Sequence, residues 1–198
     1  MRLVLATRNE HKVREVGRLM DGVAVERLPA AVTLPPEDGD TFAENALGKA
    51  RAAARATGRP AIGDDSGIEA EALGGRPGIF SARFAGPAAT DAQNLAKLRA
   101  EAPAGSRLRY VCVMAYATPA GDERTFTGTC DGTLSAEARG SGGFGYDPAF
   151  LPADVPDGRT MAELSDAEKD AISHRGRATR ALLAWLREEQ AEPRGGGG

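Results

Sequence analysis

Apolar positions along the chain change their period several times, and each change marks an element. Leu3-Val4-Leu5-Ala6 is an unbroken apolar run of the kind a buried strand presents. Beyond Thr7-Arg8-Asn9, residues Val13, Val16, Leu19 and Met20 fall at helical spacing. Such a strand–loop–helix opening converges backbone N–H groups and the positive end of a helix dipole on one place. Thr41-Phe42-Ala43-Glu44 has the pattern of a capping box and opens an Ala-rich helix through Ala56, which Gly58 and Pro60 stop. Pro60-Ala61-Ile62-Gly63 is a short apolar approach to Asp64-Asp65-Ser66-Gly67, which predicts a strand that ends there with two acids at its tip. Thr90-Asp91-Ala92-Gln93 caps a helix through Leu95 and Leu98. Leu108–Thr118 and Arg124–Leu134 are strand-like, and the turn residues 119–122 between them predict a long hairpin. The run 140–145 is too rich in glycine for anything but a loop. Ser165-Asp166-Ala167-Glu168 caps a short helix bearing Lys169. A last helix follows Ser173, with Ala178, Ala181, Leu182, Trp185 and Leu186 on one face.

Strands and helices alternate early and a hairpin comes late, which predicts an α/β fold around a mixed sheet. The 198 residues suffice for one domain with a real core, divided at most into two lobes. We expect residues 1–190 to form it and residues 191–198, ending in four glycines, to be a flexible tail. A net charge of -3 and a pI near 5.5 argue against a general nucleic-acid binder, while leaving room for a local cationic pocket. Cys112 and Cys130 form no Cys-x-x-Cys pair, so buried free thiols are expected rather than a zinc site. The N-terminus meets charge too early for a signal peptide, and no apolar run approaches the roughly 20 residues of a membrane span. A cytoplasmic protein without a membrane partner is the expectation.

Several clusters could carry chemistry, and each reads two ways. Thr7, Asn9, Lys12 and the amides around them could cradle a phosphate, or could be a helix cap beside a solvated lysine. One acid of Asp64-Asp65 could bind a divalent cation with a distant acid, such as one of Glu37-Asp38 upstream, or the pair could be an exposed turn. Asn45 and Lys49, four apart, share a helix face that spacing alone reads as solvated. Phe144 and Tyr146 in a glycine loop suit a hydrophobic plug or a stacking platform for a base. Ser173 is a good N-cap, yet His174 and Arg175 behind it put cations where a helix dipole disfavours them. A Ser-His-Asp hydrolase is disfavoured by the lack of a Gly-x-Ser-x-Gly elbow.

Taken in order, these islands resemble the inosine triphosphate pyrophosphatase family. The match is carried by Ala6-Thr7-Arg8-Asn9 with Lys12, Thr41 to Ala46 with Lys49, and Asp64-Asp65-Ser66-Gly67. It continues through Gly75 to Arg83, Gly142 to Pro148 and Ala171 to Arg175. The resemblance implies an elongated mixed central sheet with flanking helices and two lobes around a substrate cleft. It also implies homodimers, Mg²⁺ dependence, and hydrolysis of ITP, dITP and XTP to the monophosphate and pyrophosphate. It makes Asp65 the proton acceptor and a metal ligand, with Glu37 as the second acid at the metal. It places Thr7, Arg8, Asn9, Glu10, His11, Lys12 and Lys49 on the phosphate side. Ser66, Phe144, Gly145, Tyr146, Asp147, Lys169, His174 and Arg175 fall at its other substrate-binding positions. His11 stands where many members carry Gly, and Arg159 replaces a frequent Lys. A pyrophosphatase for modified pyrimidine triphosphates and a non-catalytic nucleotide sensor are the alternatives.

Overall fold

In a computed structural model, which describes residues 1–191, six strands form one mixed sheet in the order β2-β1-β3-β4-β5-β6. The strands are β1 (Arg2–Leu5), β2 (Ala24–Arg27), β3 (Ala61–Ala70), β4 (Arg107–Ala117), β5 (Glu123–Leu134) and β6 (Phe150–Pro152). The main helices are α1 (Glu10–Leu19), α2 (Phe42–Thr57), α3 (Asp91–Glu101), α4 (Asp166–Ile172) and α5 (His174–Ala191). β1 is parallel to β2 and β3, and β3 to β6 are antiparallel. The tail expected from residue 191 lies outside the described residues, except Ala191, which closes α5. No described helix is long and apolar enough to cross a membrane.

The long strands alternate cleanly. Cys112, Met114 and Tyr116 of β4 face α1 and α5, where Val16, Leu182 and Leu186 cover them. Val111, Val113 and Ala115 face α2 and pack on Ala46, Ala50 and Ala53. Two glycines let the helices come this close. A Cβ on Gly63 would stand 2.4 Å from the carbonyl oxygen of Ala46 in α2, and one on Gly128 would stand 2.2 Å from that of His174 in α5. A third cluster, with Ile68, Leu98, Tyr110 and Phe150, fills the far end of the same strands. The first two clusters cover opposite faces of one end of the sheet and the third fills the other end, with residues 64–67 of β3 between Ile62 and Ile68.

Two expectations need correction. β3 does not stop at the acid pair: it runs to Ala70, and Asp64 and Asp65 pair in register with Met114 and Val113. It is β1 that ends, its last partner on β3 being Ile62. The pairing with β4 satisfies the backbone through the acids, so turn-forming residues stay extended. β2 and β6 have no counterpart in the sequence reading. They are four and three residues long, and one contains a proline, so neither shows a periodic signal. Both cysteines are buried and unpaired, and burial pushes the Cys130 thiol up to about 12.

Candidate active site

A cavity of about 360 Å³ opens beside β3 past the end of β1. Because side chains alternate along a strand, Asp64 and Asp65 leave β3 on opposite faces and enter different environments.

Asp64 points toward α1 and α5. Lys12 Nζ lies 2.8 Å and Arg175 Nε 3.0 Å from its oxygens, and its side chain is fully buried. Burial alone would raise this carboxyl, but Lys12, Arg175 and Lys49 hold it far below the usual carboxylate range. The network runs on. Arg175 also donates to Glu15 Oε2 and, at 2.7 Å, to Ser66 Oγ. Lys169 Nζ bridges Glu15 and Asp147, each at 2.7 Å. Burial raises Glu15, yet Arg175 and Lys169 bring it below its ordinary value.

Asp65 points toward α2. Asn45 Nδ2 donates to its Oδ2 at 3.1 Å, and Lys49 Nζ lies 3.4 Å from its Oδ1. The same two side chains reach the loop before α2. Lys49 donates to Glu37 Oε1 at 2.6 Å, and the Gly39 N–H donates to Asn45 Oδ1 at 2.9 Å. Arg83 steadies that loop through the carbonyl of Glu37 at 2.8 Å. Burial raises the Asp65 carboxyl, and the opposing pull of Lys49, Lys12 and Asn45 fails to cancel burial and Glu37 combined. Its affinity for a proton is therefore above that of an ordinary aspartate. Asn45 and Lys49 are each 5% exposed, so their helix face is not the solvated one that spacing suggests.

At the other end of the cavity, Asp147 shapes the glycine loop. Its Oδ1 accepts from Tyr110 Oη at 2.9 Å, and its Oδ2 accepts from the Phe144 N–H at 2.9 Å. Tyr146 Oη donates to the Ser81 carbonyl at 2.7 Å. His174 stacks flat on Tyr110, with centroids 4.5 Å apart, and burial followed by the charges of Arg175 and Lys169 keeps its imidazole neutral. Ser173 Oγ accepts from the Gly176 N–H at 3.0 Å, so the N-cap reading holds alongside the site.

Most of the expected residues line this one cavity: Thr7, Arg8, Asn9, Lys12, Glu37, Lys49, Asp65, Ser66, Phe144 to Asp147, Lys169, His174 and Arg175. Glu10 and His11 do not. Glu10 pairs with Arg27 at the surface, and the His11 ring stacks on Phe144. The Arg8 guanidinium is committed to the carbonyls of Leu28, Pro29, Ala30 and Val32, so it anchors a loop more than it faces a ligand. Asn9 caps α1 through the N–H groups of His11 and Lys12.

Two residues of the network were absent from the expected set. Asn45 was visible only as a neighbour of Lys49. Glu15 shares a helical stripe with Lys12, Val16 and Leu19, and a charge on the inward stripe was its only signal.

No cluster of three or more His, Cys, Asp or Glu side chains suited to a metal occurs among the described residues. Glu37 and Asp65, meeting at Lys49, are the carboxylates that could share a cation with a ligand.

The Ham1 family matches residues 3–185. A dITP/XTP pyrophosphatase of Symbiobacterium thermophilum is 50% identical, with 93% of this chain and 94% of the relative covered. One of Syntrophobacter fumaroxidans is 45% identical, covering 96% and 87%. The solved structure of a HAM1 protein from Coxiella burnetii superposes with a TM-score of 0.83 at 40% identity, covering 95% of this chain and 99% of that one.

Proposed function

The chain belongs to the Ham1 family, and from that premise we propose that it hydrolyses non-standard purine nucleoside triphosphates such as dITP and XTP to the monophosphate and pyrophosphate. The observation that carries the proposal is the unequal pair on β3: a locked, ionised Asp64 beside an Asp65 whose proton affinity is raised. One acid organises cations and the other is free to act as a base.

In this reading, Lys12 and the α1 N-terminus receive the phosphates, while Lys49 neutralises charge beside Asp65. Asp65 takes a proton from a water as that water attacks the α-phosphorus. The bond from that phosphorus to the bridging oxygen breaks, and pyrophosphate leaves. Mg²⁺ fits the donors present, since Glu37 and Asp65 offer hard oxygen and no Cys or His stands with them. When bound it would neutralise phosphate charge and act as a Lewis acid. Asn45 and Lys49 hold the two carboxylates at a fixed spacing for it.

The base would lie against Phe144 and Tyr146, near the donors of Arg175. A 6-keto purine offers an acceptor there, whereas adenine offers a donor, so fixed donors favour inosine and xanthine. A homodimer with residues 1–190 as one catalytic domain, in the cytoplasm, completes the proposal.

The test is pyrophosphate release from ITP, dITP and XTP against ATP, GTP and modified pyrimidine triphosphates, with Mg²⁺ varied. Preference for the non-standard purines is expected. Preference for a pyrimidine would overturn the substrate, and binding without release would make the protein a sensor.

A further inference from the structure

We infer that His11 is a positioning residue that clasps the base-stacking loop from outside the cavity, and this rests on the substrate reading above. His11 is the second residue of α1, next to Lys12 at the phosphate end. Its ring lies 4.9 Å from that of Phe144, at an interplanar angle of 26°. Arg14 Nη2 lies 2.9 Å from His11 Nδ1, a contact that orients the plane of the imidazole.

The other contacts of Phe144 come from within. Lys169 Nζ is 5.2 Å and the Arg175 guanidinium 5.7 Å from the ring centroid, and both line the cavity while His11 does not. The cations that reach Phe144 thus belong to the cavity wall, and the imidazole that stacks on it does not. Glycines surround Phe144 in sequence, so its loop has little intrinsic stiffness. The backbone around it is held by the Phe144 N–H on Asp147 and the Gly145 N–H on Asp91, so the ring itself is oriented by the His11 stack and the two cations.

The clasp ties together two ends of the ligand. The segment that receives phosphate and the ring that receives the base belong to α1 and to the loop before β6, more than 100 residues apart. A residue without a ring at position 11 would leave Phe144 without this stack. In this chain, therefore, base affinity depends on a residue that never touches the base. Loss of one aromatic stack corresponds to about a 2- to 12-fold loss of affinity.

The experiment compares wild type, His11→Ala and His11→Phe by amide hydrogen exchange over residues 140–146 without ligand, and by calorimetric affinity for IMP and for inorganic pyrophosphate. Faster exchange in the loop is expected for His11→Ala, with IMP binding weakened by that factor and pyrophosphate binding unchanged. His11→Phe should restore both. Unchanged exchange and IMP affinity in His11→Ala would overturn the clasp. So would equal loss of pyrophosphate binding in both variants, which would make His11 a phosphate-side residue. Wild type that binds no IMP would sink the substrate reading instead, and the exchange data would then decide the clasp alone.

Discussion

The two faces of β3 at the active site differ in how much freedom they leave an acid. On the α5 face, Asp64 is held by two cations, Lys12 and Arg175, and Arg175 is in turn held by Glu15. On the α2 face, Asp65 has one amide and one distant lysine, and that lysine is closer to Glu37. Neighbours in sequence, the two aspartates are chemically unlike because a strand sends them to opposite sides. A saturated acid is structural, and an under-served one can react.

The largest effect should come from removing the cation partner of the α2 face. Chelation should abolish turnover while leaving Tm nearly unchanged, since the donors present suit an ion held mainly by substrate. Full activity in EDTA would break this side of the comparison. Next, Asp65→Asn should cut turnover by about 10²–10⁴-fold with the fold intact, because the amide keeps the shape and cannot take a proton. Pyrophosphate release measured beside Tm separates the two effects.

Asp64→Asn should do the reverse. It strips Lys12 and Arg175 of a buried partner and should cost about 3–5 kcal/mol of stability. Its pH dependence sharpens the point. The folded Asp64 carboxyl lies below its unfolded value, so its contribution is fully present above about pH 4 and is lost as pH falls further. The Tm deficit of Asp64→Asn should therefore narrow below about pH 4. A deficit that stays constant into acid would deny Asp64 its ionic role.

Smaller still, Asn45→Ala should cost roughly 1.5–3 kcal/mol in transition-state stabilisation, the worth of a hydrogen bond to a charged group. Apparent Mg²⁺ affinity should fall with it, and the preference for ITP over ATP should not change. A shift in base preference would move Asn45 to the other face. Arg175→Ala reports less cleanly on base reading, because it also takes from Asp64 and Glu15 one of the two cations that each holds.

Much of the fold was legible where the signal was local. Thr41, Thr90 and Ser165 each form the capping box their sequence spells, because its partners lie within one turn. The hairpin of β4 and β5 is likewise short-range. What could not be read depended on distant partners. Asp64 and Asp65 resemble a strand end until β4 supplies ten residues of pairing across β3. Glu15 resembles a surface acid until Lys169 and Arg175 arrive from 154 and 160 residues away. Lys49 resembles a solvated lysine until the Glu37 loop folds over it. The candidate residues were mostly visible as types. Their division between two faces was not, since only the position of the sheet edge decides it.

The ion pairs around the cavity also govern how an anion can enter it. Lys12, Lys49, Lys169 and Arg175 are each already matched by a carboxylate at close range. The wall is therefore close to electrically balanced, and it offers an approaching triphosphate little long-range pull. On the proposed function, binding would be an exchange, in which phosphate oxygens replace carboxylate contacts. A site built this way gains discrimination rather than capture. A polyanion that cannot displace those carboxylates would find these four cations already paired.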